Sequence, residues 1–327
     1  MHPVDSAGPI LSLDIGGTKI SAAILTRDGR LLSGRRAPSL ASQGPDPMIQ
    51  RLVGMSRDVA AEACVTPRMV GISCGGPLDP VSGTVLDPPN LPGWSGTPLR
   101  AMISRELDVA EADVHLENDA NAGALAELHF GAARARSHAI YLTMSTGIGA
   151  GLILDGRLYR GATFNAGEAG HQVVAPDGPQ CGCGKRGCLE ALASGSGIAS
   201  RLRAGFESLS PALRSAAGSP EVIGAEHLLA AARGGDSMAL AILTETTGYL
   251  ARGIANLVFI LNPQIIILGT IARHAGDLML VPLRARVAEL CWPVLVKGLE
   301  IVPSPLGLRS EELSGLAVAL EGERTRP

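Results

Sequence analysis

The chain has 327 residues, 46% of them apolar and 18% charged, which is enough for about two domains with full cores and excludes intrinsic disorder. A net charge of −3 without a dense Lys/Arg cluster leaves no footprint for a phosphate backbone, so nucleic acid is not an expected partner. The N-terminus lacks a basic region followed by an apolar stretch, and the apolar runs at 257–261 and 265–268 are far too short for a bilayer, so a cytoplasmic protein with no membrane partner is expected.

Residues 10–14 read as a buried strand ending in a glycine turn, and 19–25 as the strand returning from it. A third strand is expected at 30–37, a helix with apolar faces at 47–64, and a further strand at 69–73. The Pro/Gly-rich stretch 75–98 reads mostly as loop. A helix over 99–107, a short strand at 114–117 and an amphipathic stretch at 122–130 follow. The pattern then restarts, with a strand at 139–144, a glycine turn at 145–149 and a returning strand at 150–154. Late in the chain a long helix at 236–261 runs into Asn262-Pro263, the apolar strand 264–268 follows, and a helix around 313–320 closes the protein. Aromatic residues are only 3%, so the core must come from Ala, Leu, Ile and Val. Two related α/β halves, each opening with a glycine hairpin, predict a ligand cleft between two domains.

The turn Asp14-Ile15-Gly16-Gly17-Thr18-Lys19 has what an anion needs. Its glycines let backbone N–H groups approach, Thr18 adds a hydroxyl, and Asp14 can hold a hydrated Mg2+ ion. It is neither a Walker loop nor a dinucleotide fingerprint, because the glycine spacing and the element that follows are wrong for both. An ordinary Gly-Gly hairpin with a polar rim would have the same sequence. The second turn, Thr146-Gly147-Ile148-Gly149, is equally ambiguous alone, but two such turns at matching places favour opposing phosphate clamps. Glu117-Asn118-Asp119-Ala120-Asn121 follows a buried strand; Asn118 or Asp119 suits a helix N-cap, and a carboxylate here also suits a general base.

The six cysteines belong to a chain too long to need a disulfide framework, so their spacing decides their chemistry. Gly167-Glu168-Ala169-Gly170-His171 precedes Cys181-Gly182-Cys183-Gly184-Lys185-Arg186-Gly187-Cys188-Leu189-Glu190. Three thiolates and one imidazole complete a closed tetrahedral zinc site, with a strained local disulfide or inert buried thiols as the alternatives. Cys64, Cys74 and Cys291 are expected to be core thiols.

Together these residues resemble the ROK family of repressors, open reading frames and sugar kinases, from Asp14 to the closing helix. The resemblance implies an α/β, two-domain actin-like ATPase (ribonuclease H-like) fold, with a cleft between the domains and a small zinc-binding loop at 171–188. The small N-terminal domain would be 1–119, joined by the C-terminal helix at about 305–327, and the large C-terminal domain 120–304. The implied reaction moves the γ-phosphate of ATP to the 6-hydroxyl of a hexose, glucose first and N-acetylmannosamine or N-acetylglucosamine second. ATP, Mg2+ and a structural Zn2+ are the implied cofactors, and a homo-oligomer, dimer or tetramer, is the implied assembly.

The resemblance also implies roles for single residues. Asp119 would be the general base and Asn118 would hydrogen-bond the sugar beside it. Gly76 and Asn90 would line the sugar pocket, and Glu168, His171 and Glu190 would bind ring hydroxyls. His171 would join Cys181, Cys183 and Cys188 on zinc. Asp14, Gly16, Gly17, Thr18 and Lys19 would form the first phosphate motif, and Thr146, Gly147 and Gly149 the second, with Gly269 approaching the adenosine. The chain departs from the family pattern at Ser145 and Ala150 in the second turn, at Gly269-Thr270 and at Cys74-Gly75-Gly76-Pro77. The family also contains sugar-responsive repressors, which carry a helix-turn-helix ahead of the first hairpin. Thirteen residues precede Asp14, so a kinase is expected rather than a repressor, and an intact base argues against a silent sensor.

Overall fold

The two apolar runs flanking the first glycine turn pair with each other. In the computed structural model, which describes residues 8–325, β1 (Ile10–Ile15) runs antiparallel to β2 (Lys19–Leu25), with Asp14 opposite Ser21. β3 (Leu31–Pro38) pairs with β2 and is largely exposed, as an edge strand should be. α1 (Pro45–Glu62) starts two residues before the expected position because Pro45 and Pro47 both suit a first helical turn. Its buried Met48, Ile49, Leu52, Val53, Ser56 and Val59 recur at helical spacing. β4 (Val70–Cys74) then lies parallel to β1. The stretch expected as loop also holds a two-residue ladder of β5 (Leu78–Asp79) and β6 (Thr84–Val85).

α2 (Leu99–Leu107) leads to β7 (Val114–Asn118), parallel to β4, and β7 runs directly into α3 (Asp119–Phe130). α3 is not the amphipathic helix that was expected: every residue from Ala120 to Glu127 is buried. Its alanines and Gly123 are small enough for packing on several sides at once.

The second sheet opens with β8 (Ala139–Met144), β9 (Ile148–Leu154) and β10 (Arg157–Leu158). After the cysteine loop come α4 (Leu189–Ala193), α5 (Gly195–Ala204), α6 (Pro211–Ala217) and α7 (Ala225–Arg233). The long α8 (Ser237–Leu261) ends at Asn262 in the left-handed region and gives way to β11 (Ile265–Leu268). α9 (Thr270–Ala275), α10 (Asp277–Leu290), α11 (Pro293–Val296) and β12 (Glu300–Pro303) follow, and α12 (Ser310–Arg324) closes the described chain.

The strand order is β3-β2-β1-β4-β7 in one sheet and β10-β9-β8-β11-β12 in the other. In each, an antiparallel hairpin is extended on one side by two parallel strands, so both sheets repeat one plan.

The chain divides into two units. Unit 1 runs as far as Arg134, takes in Arg160–Asn165 and resumes at Leu306; unit 2 is Ala135–Tyr159 with Ala166–Pro305. Unit 1 therefore extends past the boundary expected at residue 119, because α3 packs against α12, which itself lies on β1 and β4. Its core includes Leu13, Ile15, Ile72, Leu116 and the fully buried Trp94. The core of unit 2 joins Ile140, Leu142, Ile266 and Leu268 to Leu250, Ile254 and Leu283 on the helices. No described helix is long and apolar enough to cross a membrane.

Candidate active site and metal centre

In unit 1 the functional residues expected from sequence converge at the ends of β1, β4 and β7. Asp14 is half-buried in β1, between Ser21 on β2 and Ser73 on β4. Burial raises its pKa to about 7, with the charges of Glu311 and Asp119 adding, while a hydrogen bond from Ser73 opposes the shift. The following turn closes with Gly16 N–H donating to the Lys19 carbonyl at 3.0 Å. Gly17 has the backbone of Asn90 against it: a Cβ there would stand 2.8 Å from the Asn90 carbonyl oxygen. Thr18 and Lys19 are exposed, and Lys19 is ion-paired with Glu311 at the start of α12.

Asn118 and Asp119 sit where β7 becomes α3. Asn118 is the N-cap, its Oδ1 accepting the Asn121 N–H at 2.8 Å. Asp119 begins the helix with its side chain exposed, and its Oδ1 accepts the Ala120 N–H at 2.8 Å. A Cβ on Gly76 would lie 3.4 Å from the Asn118 Cβ, which puts the loop after β4 beside this pair. Cys74, fully buried, has its thiol pushed well up by burial first and then by Asp119 and Asp14, so it is held in the unreactive protonated form.

In unit 2 the second turn is braced from two sides by the helices after the cysteine loop. Glu190, in the first turn of α4, accepts the Ile148 N–H through Oε2 at 3.0 Å. Gly195 N–H donates to the Ser145 carbonyl at 2.7 Å, and Ser196 donates to the Thr146 carbonyl through both its N–H and its hydroxyl. Thr146 and Gly147 remain in the turn, whereas Gly149 lies within β9 opposite Thr143. Gly269 caps α9, its N–H donating to the Leu142 carbonyl at 2.8 Å. The Glu168–His171 segment runs against β9 so closely that a Cβ on Gly170 would sit 2.0 Å from the Ile148 carbonyl oxygen. The Glu168 carboxylate lies 3.8 Å from His171 Nε2.

The ligand atoms of His171, Cys181, Cys183 and Cys188 all fall within 4.8 Å of one another. Cys183 and Cys188 sulfurs are 3.7 Å apart, and Cys181 Sγ is 3.6 Å from His171 Nδ1. Tetrahedral zinc bonded to sulfur at about 2.3 Å and nitrogen at about 2.0 Å requires edges of roughly 3.8 and 3.6 Å. A disulfide would hold its two sulfurs at about 2.05 Å. The donor set therefore fits a tetrahedral metal and not a disulfide. Burial first, then hydrogen bonding to Cys183, pushes the Cys188 thiol up to about 12; three thiolates in one loop need a cation to hold them ionised. Cys64, Cys74 and Cys291 are free thiols, but Cys64 is exposed, not in the core as expected, since it follows α1 with a φ of 54°.

Three contributors gave little sequence signal. Glu311 reaches the first turn only because α12 folds back over β1. Ser196 reaches the second turn only because α5, after the cysteines, folds back onto it. Glu117 is 2% exposed and binds Arg160, forty-three positions away.

The ROK family model matches residues 10–307. A glucokinase of Thermotoga maritima is 39% identical over 298 residues, which cover 91% of this chain and 92% of that one. The crystal structure of a ROK family glucokinase from Streptomyces griseus in complex with glucose and AMPPNP has a TM-score of 0.79 at 30% identity, covering 97% of this chain and 100% of that one. A xylose repressor of Caldicellulosiruptor bescii is 30% identical over 320 residues, 96% of this chain and 78% of that one.

Proposed function

The chain belongs to the ROK family and is an ATP-dependent sugar kinase; from that premise we propose that its acceptor is the 6-hydroxyl of glucose. The observation that carries the reading is 39% identity to a glucokinase over nine-tenths of both chains, in a chain that presents Asn118 and Asp119 at the start of α3.

Phosphoryl transfer needs positioning and charge neutralisation more than covalent help. Asp119 takes the proton of the attacking 6-hydroxyl, and Asn118, fixed by its cap to Asn121, hydrogen-bonds the sugar beside it. Gly76 and Asn90 line the pocket, while Glu168, His171 and Glu190 receive ring hydroxyls, His171 through Nε2. Gly16, Gly17, Thr18 and Lys19 meet phosphate in unit 1; Thr146, Gly147 and Gly149 do so in unit 2, and Gly269 approaches the adenosine. Deprotonated Asp14 would hold Mg2+, which would supply neutralisation of charge on the transferring group. His171, Cys181, Cys183 and Cys188 would hold a structural Zn2+ through four protein ligands, and so would fix the loop that carries Glu168 and His171. ATP as donor is consistent with a cytoplasmic site of action.

The repressor relative supports a second reading, a sugar-responsive regulator. One assay separates the two: ADP release with glucose, mannose, fructose, N-acetylglucosamine and N-acetylmannosamine. The kinase reading requires turnover, highest with glucose; sugar binding without ADP release overturns it.

A further inference from the structure

Glu117 is the one member of the Glu117-Asn118-Asp119 run to which the proposed reaction gives no task, and it is buried. Its Oε1 accepts the Asn118 N–H at 3.1 Å and the Asn121 side-chain N–H at 3.0 Å. Its Oε2 accepts the Arg160 Nε–H at 2.6 Å. Both oxygens are thus engaged, one by the turn that carries the proposed base and one by a charge. A buried carboxylate is tolerated only when paired and hydrogen-bonded, and Arg160 provides the pairing.

Arg160 arrives from outside the local sequence. The chain leaves unit 2 after Tyr159, lends Arg160–Asn165 to unit 1 and returns to unit 2 at Ala166. Within unit 1, Arg160 and Glu117 line a cavity of about 430 Å³ together with Arg100, His115, Leu125 and Phe164. The guanidinium therefore stands between a buried carboxylate and an open space large enough for a small planar cation.

We propose that Arg160 is a positioning residue for phosphoryl transfer: it holds Glu117 so that Glu117 holds the Asn118–Asp119 turn in register with the substrate hydroxyl. This rests on the reading of Asp119 as the general base. Misplacing a catalytic group by about 1 Å costs on the order of a hundredfold in rate, and the hydrogen bond that Arg160 makes goes to Glu117 rather than to either phosphate turn.

The test is Arg160→Ala in the full chain, assayed with and without added guanidinium at about 50 mM, well below denaturing levels, with NaCl as the ionic control. The expected result is a kcat lowered by about tenfold to a hundredfold, an unchanged KM for ATP, and saturable recovery of kcat by guanidinium but not by NaCl. A kcat within about twofold of the parent, or a loss that guanidinium does not repair, overturns the proposal. Should Arg160→Ala fail to fold by circular dichroism, Arg160→Gln, which can still donate to Glu117, takes its place: it must lower kcat without raising KM for ATP, and a parent-like kcat overturns the proposal. Asp119→Asn measured alongside separates the two readings. If Asp119→Asn keeps parent turnover, the base assignment fails; if it abolishes turnover while the Arg160 variants keep theirs, only the role of Arg160 fails.

Discussion

Gly17 and Asn90 are packed backbone to backbone, with room for no Cβ: one placed on Gly17 would stand 2.8 Å from the Asn90 carbonyl oxygen and 3.0 Å from its Cβ. The first phosphate turn and the loop proposed to line the sugar pocket are thus one packed piece of unit 1. Gly17→Ala is expected to push them apart, lowering kcat/KM by about one to two orders of magnitude and stability by roughly 1–3 kcal/mol. Steady-state kinetics and denaturant melts measure both, and parent-like values in both would show that the contact does not matter.

Glu190 has its Oε2 on the Ile148 N–H, so one carboxylate proposed to bind sugar also braces the second phosphate turn. Glu190→Ala should therefore raise the KM for ATP as well as that for glucose, by several-fold each. A change confined to glucose would reduce Glu190 to a sugar ligand alone.

The cysteine cluster carries a prediction about composition. Elemental analysis of the purified protein is expected to find about one zinc per chain, the stoichiometry of a closed four-ligand site. Cys183 is exposed, so Cys183→Ser hollows no core. It should nonetheless lose the metal, lower the melting temperature and weaken glucose binding, because the loop that carries Glu168 and His171 loses its anchor. Full zinc content in Cys183→Ser would remove that thiol from the site.

Asp14 makes stability depend on pH in a defined direction. Its pKa is raised from 3.8 to about 7, chiefly by burial, so between those values the native state keeps a proton that the unfolded chain has lost. Stability of the protein without added Mg2+ should fall as pH rises through this window and level off above about 7. Denaturation midpoints from about pH 5 to about pH 8 measure the slope, and Asp14→Asn should flatten it. An unchanged slope in Asp14→Asn would assign it to another group.

Much of this was legible in the sequence because the signals were local. The glycine hairpins, the strand leading into Glu117-Asn118-Asp119 and the Cys/His spacing each lie within a short stretch, where backbone geometry follows from neighbouring residues. The helices α5 to α7 carry no clear periodic signal, since their apolar residues are interrupted by glycines and short loops. The buried character of α3 was misjudged because α12, almost two hundred residues later, covers it. Arg160 and Glu311 were invisible for the same reason: each acts on a turn it meets only after the chain has folded.

The central claim is that Asp119 is the base of a sugar kinase. Its most direct test pairs glucose binding by calorimetry with ATP turnover in the parent protein and in Asp119→Asn, which keeps the size of the side chain and removes its basicity. The account expects glucose affinity to be retained and kcat to fall by roughly two to four orders of magnitude. Turnover by Asp119→Asn at the parent rate would contradict it.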